Sequence, residues 1–313
     1  MHICRVVAAE IDAARRGDSD AFARIIEPYR RELRAHCYRM AGSIHDADDL
    51  LQESLIRAWR GLAGFEGRAS LRTWLYKVTT HACLDKLDRK TPRLLPLDLG
   101  PASDPQSIGP PIEDTAFVEP APAELYERRE AVALAFMVAL QLLTPKQRAA
   151  LILRDVVGLE ASECAELLSL SVAAVNSALQ RAREVLATRP TSSSPPDPEV
   201  LGRYVDAWTR ADSAALVALL RDDATLAMPP LRDWLRGPAH IGASIQHMVF
   251  AGSAGFSLVP IEANGAPAFA AYHRSTGAAM AIHVVDTIDR RISAITAFLS
   301  PALFTTFGLP LTQ

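Results

Sequence analysis

Two proline-rich stretches divide this sequence into three pieces. Residues 91–123 contain eight prolines together with serines, glycines and acidic residues, and residues 188–198 (TRPTSSSPPDP) form a shorter stretch of the same kind. Proline has no backbone N–H and disfavours the helical region for the residue before it, so both stretches are poor helices and poor central strands. We therefore predict domains at 1–90, 124–189 and 199–313, joined by linkers at 91–123 and 190–198.

Hydrophobic periodicity assigns a fold class to each piece. Apolar residues recur at close to the 3.6-residue helical period through 5–90 and again through 124–187. After residue 198 the pattern changes to helices at 198–211, 213–221 and about 238–250, followed by alternating runs such as AMAIHVVDTI between turn-like clusters at 273–277 and 289–291. The sequence predicts a multidomain chain with two all-α domains, a helical bundle and a helix-turn-helix, followed by an α+β domain with a curved antiparallel sheet.

Composition argues against a membrane protein and against a disulfide framework. No run approaches the roughly 18 apolar residues of a membrane span, and the N-terminus shows no signal-peptide pattern. The cysteines at 4, 37, 83 and 164 are scattered without a CxxC motif, which favours reduced thiols and a cytoplasmic protein. The pairs His36-Cys37 and His81/Cys83 fit ordinary helix residues better than zinc ligands. We predict no metal and no cofactor.

Charge is distributed unevenly along the chain. The formal net charge is −3, but residues 1–90 carry 16 basic against 13 acidic side chains, while residues 91–123 carry one against five. Affinity for nucleic acid grows with the number of phosphates that a protein neutralises. We therefore expect this chain to hold DNA only weakly unless a larger partner holds it there.

Residues 158–186 (GLEASECAELLSLSVAAVNSALQRAREVL) predict a helix-turn-helix, in a helical piece where Thr144-Pro145 is a strong helix start. Val172, Val175, Leu179, Ala182 and Leu186 are expected on the buried face of the second helix. Its front would enter a major groove, where Asn and Gln side chains can read adenine. An ordinary helical hairpin would explain the apolar periodicity equally well. The candidate DNA-binding residues here are Ser171, Ala173, Ala174, Asn176, Ser177, Gln180, Arg181 and Arg183.

The helix in 65–87 (FEGRASLRTWLYKVTTHACLDKL) has an unusual polar face opposite its predicted core face. At 100° per residue the core face holds Leu71, Trp74, Leu75, Val78 and Ala82. Tyr76 on the other face could stack on an unpaired base, or it could simply pack against a neighbouring helix. The candidate DNA-binding residues of this helix and its preceding loop are Arg68, Ser70, Arg72, Thr73, Tyr76, Lys77, Thr80 and His81.

The helix in 45–60 (HDADDLLQESLIRAWR) has an acidic edge that would repel DNA. Such an edge is useful for docking on a basic protein partner, although acidic residues at a helix start also stabilise the helix dipole. The candidate partner-binding residues are Asp46, Asp49, Gln52, Glu53 and Arg57.

The segments DADDLLQESLIRAWRGLAGFEGRASLRTWLYKVTTHACLDKL and LTPKQRAALILRDVVGLEASECAELLSLSVAAVNSALQRAR resemble regions 2 and 4 of the extracytoplasmic-function (ECF) group of bacterial sigma-70-type factors. The resemblance implies that 46–60 binds the clamp helices of the largest subunit of core RNA polymerase and that 65–81 captures the minus-ten element of promoter DNA. Region 4 would read the minus-thirty-five element and bind the flap of the second large subunit. The sequence departs from the family where His81 replaces a frequent Asn, and where Asn176 and Ala178 replace basic residues.

The resemblance also assigns a role to residues 91–123. An extended 33-residue linker spans at most ~110 Å, and two turns of duplex need about 70 Å, so the chain can reach both promoter elements. Its acidity would suit a path through a basic channel of the polymerase.

The third piece resembles the SnoaL-type members of the nuclear transport factor 2-like cone fold, across nearly all of 199–311. The resemblance implies a pocket inside the cone and a domain that modulates the sigma factor through a small ligand or an intramolecular contact. For catalysis, His273, His283 and Asp286 are the clustered acid/base candidates, but His283 and Asp286 should face opposite sides of a strand. The candidate pocket residues are Tyr204, Trp208, Met228, Trp234, His247, Tyr272, His283 and Phe298.

The leading hypothesis is a promoter-specificity subunit of RNA polymerase, not an enzyme, with a built-in regulatory domain. Two other classes remain open on the residues alone: a free-standing helix-turn-helix repressor, and a cyclase-like enzyme with a DNA-binding appendage. The near-neutral region 4 and the acidic edge at 46–53 argue against the repressor, and the missing His–Asp dyad argues against the enzyme.

Overall fold

The computed structural model of the chain describes residues 2–88, 91–112, 117–125, 133–187 and 197–313. They divide into two compact units. The first unit comprises residues 1–91, 124–130 and 139–188, and the second comprises 92–123, 131–138 and 189–313.

Four helices form the N-terminal part of the first unit. Asp18 accepts hydrogen bonds from two backbone amides at the start of α2, and Gly42, with φ of 73°, ends that helix in the left-handed conformation that glycine tolerates. Ser43 and Ser70 cap the next two long helices in the same way. The helices are α1 (His2–Arg15), α2 (Ser19–Ala41), α3 (Ile44–Gly61) and α4 (Leu71–Leu87), with a 3₁₀ turn at Leu62–Gly64.

The predicted helix-turn-helix is confirmed in the remaining helices. Thr144 caps α6 and exchanges hydrogen bonds with Gln147, in a capping box with Pro145 at the first helical position. Ser169, with φ of 54°, makes the turn, and the Ser171 hydroxyl accepts a hydrogen bond from the Ala174 amide. The helices are α5 (Leu134–Gln141), α6 (Pro145–Leu151, continued by a π-helical turn at Ile152–Val156), α7 (Ala161–Leu168) and α8 (Val172–Ala187).

The C-terminal part of the second unit is a six-stranded sheet with helices. The strand order is β2-β1-β6-β5-β4-β3. The elements are α9 (Pro198–Thr209), α10 (Ser213–Val217), β1 (Leu220–Ala227), β2 (Trp234–Arg236), α11 (Pro238–Ile245, continued by a π-helical turn at Gln246–Phe250), β3 (Phe256–Ala263), β4 (Ala266–His273), β5 (Ala279–Ile288), β6 (Arg291–Phe298) and α12 (Pro301–Thr306).

The α+β prediction is confirmed, with two corrections. The helix expected at 213–221 ends at Val217, and the following segment is strand β1, which pairs in parallel with β6. The sheet is therefore mixed, although its other strand pairs are antiparallel. The strand could not be recognised from the segment LRDDATLA, because two aspartates interrupt the apolar–polar alternation that is typical of a half-buried strand.

From residue 92 onward, the described residues of the expected linker 91–123 belong to the second unit. They form 3₁₀ turns at Pro96–Asp98 and Ala123–Leu125, and β-bridges join Pro111 to Leu231 and Pro122 to Ala263. Val118 and Ala121 are fully buried. This segment is thus packed against the α+β domain, where the sequence suggested a free tether.

Among the described residues, no helix combines the length and the apolar character that crossing a membrane requires.

Candidate polymerase and nucleic-acid interfaces

The polar face of α4 turns toward α2. The Tyr76 side chain is only 2% exposed, and its hydroxyl donates a hydrogen bond to Glu32 over 3.2 Å. Arg72 forms an ion pair with the same carboxylate at 2.8 Å, and its guanidinium lies 5.0 Å from the centre of the Tyr76 ring. In this conformation the Tyr76 ring is therefore unavailable to a base, and Arg72 is already paired.

A second polar contact buries the same face of α4. Thr80 is fully buried and lies 3.0 Å from the imidazole Nε2 of His36 on α2. Burial, followed by the positive charge of Arg39, lowers the pKa of His36 to about 3, so this histidine is neutral. Buried polar groups that satisfy one another in this way are tolerated in a core.

The predicted core face of α4 therefore needs correction. Leu75 and Ala82 are buried as expected, but Leu71, Trp74 and Val78 are only partly buried. The buried side is rotated toward Tyr76, Thr79 and Thr80, because α2 offers Glu32 and His36 as hydrogen-bond partners. Apolar periodicity could not reveal this, since it treats every polar residue as facing solvent.

Part of the predicted minus-ten group remains accessible. Arg68 and Ser70 are exposed in the loop before α4, while Thr73, Lys77 and His81 are partly exposed along the helix. Arg68 pairs with Glu66, and Ser70 caps the helix through the Thr73 amide. These five residues lie along the start and outer side of α4, apart from the buried Tyr76 and Thr80 and from Arg72, which is paired with Glu32.

The acidic edge of α3 is mostly exposed and carries ion pairs. Asp49 pairs with Lys86 at 3.3 Å, and Arg57 pairs with Glu53 at 2.8 Å and with Asp85 at 2.5 Å. Asp46 differs from the rest of the predicted group because it is buried in the first turn of α3. The groove along this edge has a volume of about 460 Å³ and is lined by Asp49, Gln52, Glu53, Ile56, Arg57, Ala82, Asp85 and Lys86.

An apolar side chain at this edge was missed in the sequence. Ile56 is 39% exposed and lines both this groove and a neighbouring groove of about 980 Å³. In the neighbouring groove, the rings of Phe22 and Trp59 meet edge to face at 5.0 Å. An isoleucine at position 56 reads as core in a helical pattern, so only the structure shows that it points outward.

The second helix of the helix-turn-helix, α8, exposes most of the residues of its predicted front. Val175, Leu179 and Ala182 are buried, whereas Val172 is 44% exposed and Leu186 partly exposed, which corrects the predicted buried set at both ends. Of the DNA-binding candidates in this helix-turn-helix, all are exposed except Ser177, which is partly buried. Arg183 is held by Asp155 at 2.9 Å, Arg181 donates to Ser177, and Gln180 donates to Glu184. The exposed face comprises Ser171, Val172, Ala173, Ala174, Asn176, Gln180, Arg181 and Arg183.

Most of the predicted pocket residues of the third domain are buried. Tyr204, Trp208 and Met228 belong to its packed apolar core. His283 and Phe298 are buried as well. Tyr272 packs on Phe304 with its hydroxyl donating to the Pro310 carbonyl. Trp234 donates to the Gly100 carbonyl, and His247 lines a separate groove.

The three acid/base candidates lie in different surroundings. The Tyr204 hydroxyl lies 2.9 Å from Nδ1 of His283, whose other ring nitrogen has no hydrogen-bond partner within the described part of the chain. Burial lowers the pKa of His283 to about 3, so it is neutral. Asp286 lines a small cavity with Leu95 and Leu134, and burial raises its pKa. His273 stacks near Phe256 at 4.9 Å.

A polar contact set attaches residues 92–123 to the α+β domain. The Asp233 carboxylate accepts a hydrogen bond from the Ser103 hydroxyl at 2.6 Å and another from the Gly109 amide at 2.8 Å. The backbone of Ala121 exchanges two hydrogen bonds with Asn264, at 3.0 and 2.9 Å. The groove that contains His247 has a volume of about 830 Å³, and residues 104–108 form one of its walls. No sequence motif marks Asp233 or Asn264 for this role.

Three known families match separate parts of the chain. The Sigma-70 region 2 family matches residues 25–93, the Sigma-70 region 4 family matches 133–186, and the SnoaL-like domain family matches 201–298. Together with the relatives below, these matches show that the chain belongs to the ECF group of RNA polymerase sigma factors, which direct promoter-specific initiation of transcription. In this chain a SnoaL-like domain is fused at the C-terminal side.

Two curated relatives and one solved structure illustrate the similarity. The ECF RNA polymerase sigma factor SigG of Mycobacterium tuberculosis is 43% identical over 317 residues, covering 95% of this chain and 85% of that protein. SigW of Bacillus subtilis is 28% identical over 182 residues, 58% of this chain and 95% of the relative. The crystal structure of Mycobacterium tuberculosis SigJ matches with a TM-score of 0.63 and 25% identity, covering 92% of this chain and 99% of SigJ.

Proposed function

We propose that the edge of α3 docks on core RNA polymerase, that the outer side of α4 and the front of α8 select promoter DNA, and that the third domain regulates both by holding residues 92–123. The observation that carries the docking proposal is Ile56, an exposed apolar side chain between two grooves, ringed by Asp49, Glu53 and Arg57. An apolar centre with a charged rim is the usual anatomy of a protein–protein interface. The clamp helices of the largest polymerase subunit are the partner we propose. A factor with this partner works in the cytoplasm.

Replacing Ile56 by glutamate is expected to weaken binding to core polymerase by about 30-fold, corresponding to about 2 kcal/mol for a central interface residue. The new carboxylate would be desolvated on docking, beside the acidic residues already present. Binding is measured by fluorescence anisotropy of labelled protein titrated with core enzyme, and run-off transcription gives the functional loss.

Leu311→Glu is the matched control for Ile56→Glu, since Leu311 is 51% exposed in the second unit. It should bind core enzyme as the unaltered protein does. Equal affinity of both variants for core enzyme would remove the α3 edge from the interface.

The proposed DNA readers are short and lightly charged. On α4 and its preceding loop, Arg68, Thr73 and Lys77 offer one or two phosphate contacts and a hydroxyl. On α8, Asn176 and Gln180 can read base edges, because both are exposed. Several basic candidates are already paired with Glu66, Asp155 or Ser177. This supports a factor that selects the site while the polymerase supplies most of the phosphate contacts. The flap of the second large subunit is the proposed docking partner of region 4.

The proposed role of the third domain is regulatory and not catalytic. Tyr204 and Trp208 enclose the neutral His283, while Asp286 lines a separate cavity, which supports a role in which these two side chains do not act together as acid and base. What the domain does hold is the segment between regions 2 and 4, through Asp233 and Asn264. A segment bound in this way is not free to follow a path through the polymerase, so its release is the proposed regulatory step.

Asp233→Ala is expected to loosen residues 103–109, because Ser103 and Gly109 lose their common acceptor, while the bond from Trp234 to Gly100 and the bridge from Pro111 to Leu231 remain. The substitution removes two hydrogen bonds, and one of them is donated by the Gly109 backbone amide. Hydrogen exchange of that amide should therefore become about 10- to 30-fold faster. Run-off transcription with core polymerase should rise in parallel.

The control for Asp233→Ala is Asp222→Ala, which removes an exposed carboxylate of the same domain and should change neither exchange nor transcription. Faster exchange with unchanged transcription would show that holding the segment has no regulatory effect.

A further inference from the structure

The sheet of the second unit carries polar side chains on the face that points away from its apolar core. Val285 and Ile295 pair across β5 and β6 and belong to that core. Side chains alternate between the two faces of a sheet, so the next pair, Asp286 and Ala294, points the other way. Thr225 of β1 pairs with Ala294 from the other side. Asp286, Ala294 and Thr225 therefore form one row across three strands, with the small alanine in the middle.

A cavity of about 260 Å³ lies over this row, because the alanine leaves room above the sheet. Leu95 covers the cavity from the segment 92–123, and Leu134 and Val138 cover it from α5. All three are buried. Residues 131–138, which include this part of α5, belong to the second unit, so the cavity lies within one unit. It is separate from the apolar core on the opposite face of the sheet.

The Asp286 carboxylate has no positive charge to balance it in this cavity. Burial raises its pKa, and among the described residues neither a hydrogen bond nor a positive charge offsets that effect. The guanidinium in the lining, Arg221, is already paired with Asp223 at 2.9 Å and with Asp289 at 3.4 Å. An ionised carboxylate that is partly buried without a partner is unfavourable, and a bound cation would relieve that cost.

The rest of the lining indicates which kind of cation fits. The hydroxyl groups of Thr225, Ser293 and Thr296 also line the cavity, and their oxygens can accept hydrogen bonds. An ammonium group has three N–H donors, so it can serve a carboxylate and hydroxyls together. The apolar side chains of the cover would contact a short hydrocarbon stem. Among the described residues, no group of three His, Cys, Asp or Glu side chains could hold a metal ion.

The size of the cavity limits the length of the stem. A volume of about 260 Å³ corresponds to about nine water molecules of the liquid. A ligand with about eight non-hydrogen atoms would therefore fill it.

We infer that this cavity binds a small organic cation, a primary ammonium ion with a short apolar stem, held by Asp286 beneath the cover of Leu95, Leu134 and Val138. The site goes beyond the proposed function, and its test needs neither polymerase nor DNA.

The test titrates the full-length protein with benzylammonium, a cation of this size, and measures the heat of binding by calorimetry. The expected Kd is about 0.1–1 mM, as for a small ligand with one charged contact and an apolar stem. Benzyl alcohol has the same shape without the charge, and benzoate has the opposite charge. Both should bind at least about 10-fold more weakly, because neither balances the carboxylate.

Three variants locate the binding site. Asp286→Asn keeps the shape of the side chain and removes its charge, so benzylammonium should bind about 10-fold more weakly and lose its advantage over benzyl alcohol. Ala294→Leu fills the cavity and should abolish binding of both molecules although Asp286 remains. Asp206→Asn is the matched control, because it removes an exposed carboxylate from α9 of the same unit; it should leave both affinities unchanged.

Asp286→Asn decides the question if Ala294→Leu loses its native circular dichroism. No binding of benzylammonium, equal affinities of the unaltered protein for benzylammonium and benzyl alcohol, or equal losses in Asp286→Asn and Asp206→Asn would each overturn the inference.

Discussion

Replacing Tyr76 by alanine is expected to lower the free energy of unfolding by about 3–5 kcal/mol, the range for truncating a large buried aromatic side chain. The ring packs edge to face on His36 at 5.2 Å, and its hydroxyl serves Glu32. The truncation would leave a cavity between α2 and α4 and would remove the stacking partner of the Arg72 guanidinium. The loss is measured by chemical denaturation followed by circular dichroism.

Tyr76→Phe separates packing from hydrogen bonding at the same position. It keeps the ring and loses only the bond to Glu32, so about 1 kcal/mol should be lost. The pair of variants also guards against a misleading promoter assay, since a defect of Tyr76→Ala in open-complex formation could come from destabilised region 2. A loss below 1 kcal/mol for Tyr76→Ala would mean that the side chain leaves the α2–α4 interface in solution.

Acidification from pH 7 to pH 5 is expected to destabilise the protein by about 2 kcal/mol for each of His36 and His283. Both have a folded-state pKa of about 3, against about 6.5 in an unfolded chain. Between the two pKa values, the histidine is protonated in the unfolded state and neutral in the folded state. The free energy of unfolding therefore falls as the pH drops below about 6.5. The two histidines lie in different units, so both units should become acid-sensitive.

The measurement is urea unfolding at pH 7, 6 and 5 with probes for each unit. His283→Phe should flatten the pH dependence of the second unit's transition, at the expense of the bond to Tyr204. His45→Phe, at an exposed position on α3 in the first unit, is the control for removing a histidine elsewhere in the chain. A second unit that is equally acid-sensitive with and without His283 would show that this imidazole is protonated or solvated in the fold.

The sequence was most informative where local chemistry decides the structure. Thr144 and Pro145 start a helix through their own backbone and side-chain bonds, and Ser171 caps α8, so the helix-turn-helix could be predicted residue by residue. The exposed front of α8 could be predicted as well. Once the ends of a helix and its apolar face are known, the opposite face must be the exposed one. Helix, turn and exposed face here depend on residues within a few positions of one another.

The sequence was least informative where the partner of a residue is distant along the chain. Tyr76 lies 44 residues from Glu32, and Ser103 lies 130 residues from Asp233. Neither pairing leaves a periodic signal. A helix face with Arg, Tyr and Thr suits nucleic acid and also suits a neighbouring helix that offers a carboxylate and an imidazole. A proline-rich segment likewise has the composition of a linker whether or not it packs against a sheet.

The second unit is built from separate stretches of the chain, and this affects how its domain could be transferred to another protein. Residues 92–123 and 197–313 share that unit, while the described residues 139–187 of region 4 lie between them in the chain. Region 4 is therefore an insertion in covalent terms, and cutting the chain at residue 190 separates Asp233 and Asn264 from the segment they hold. A chimera that receives only 199–313 would acquire a sheet with an unfilled binding surface. A complete transfer would need both residues 92–123 and residues 199–313. The linker of the receiving protein would therefore have to be replaced together with its C-terminal domain.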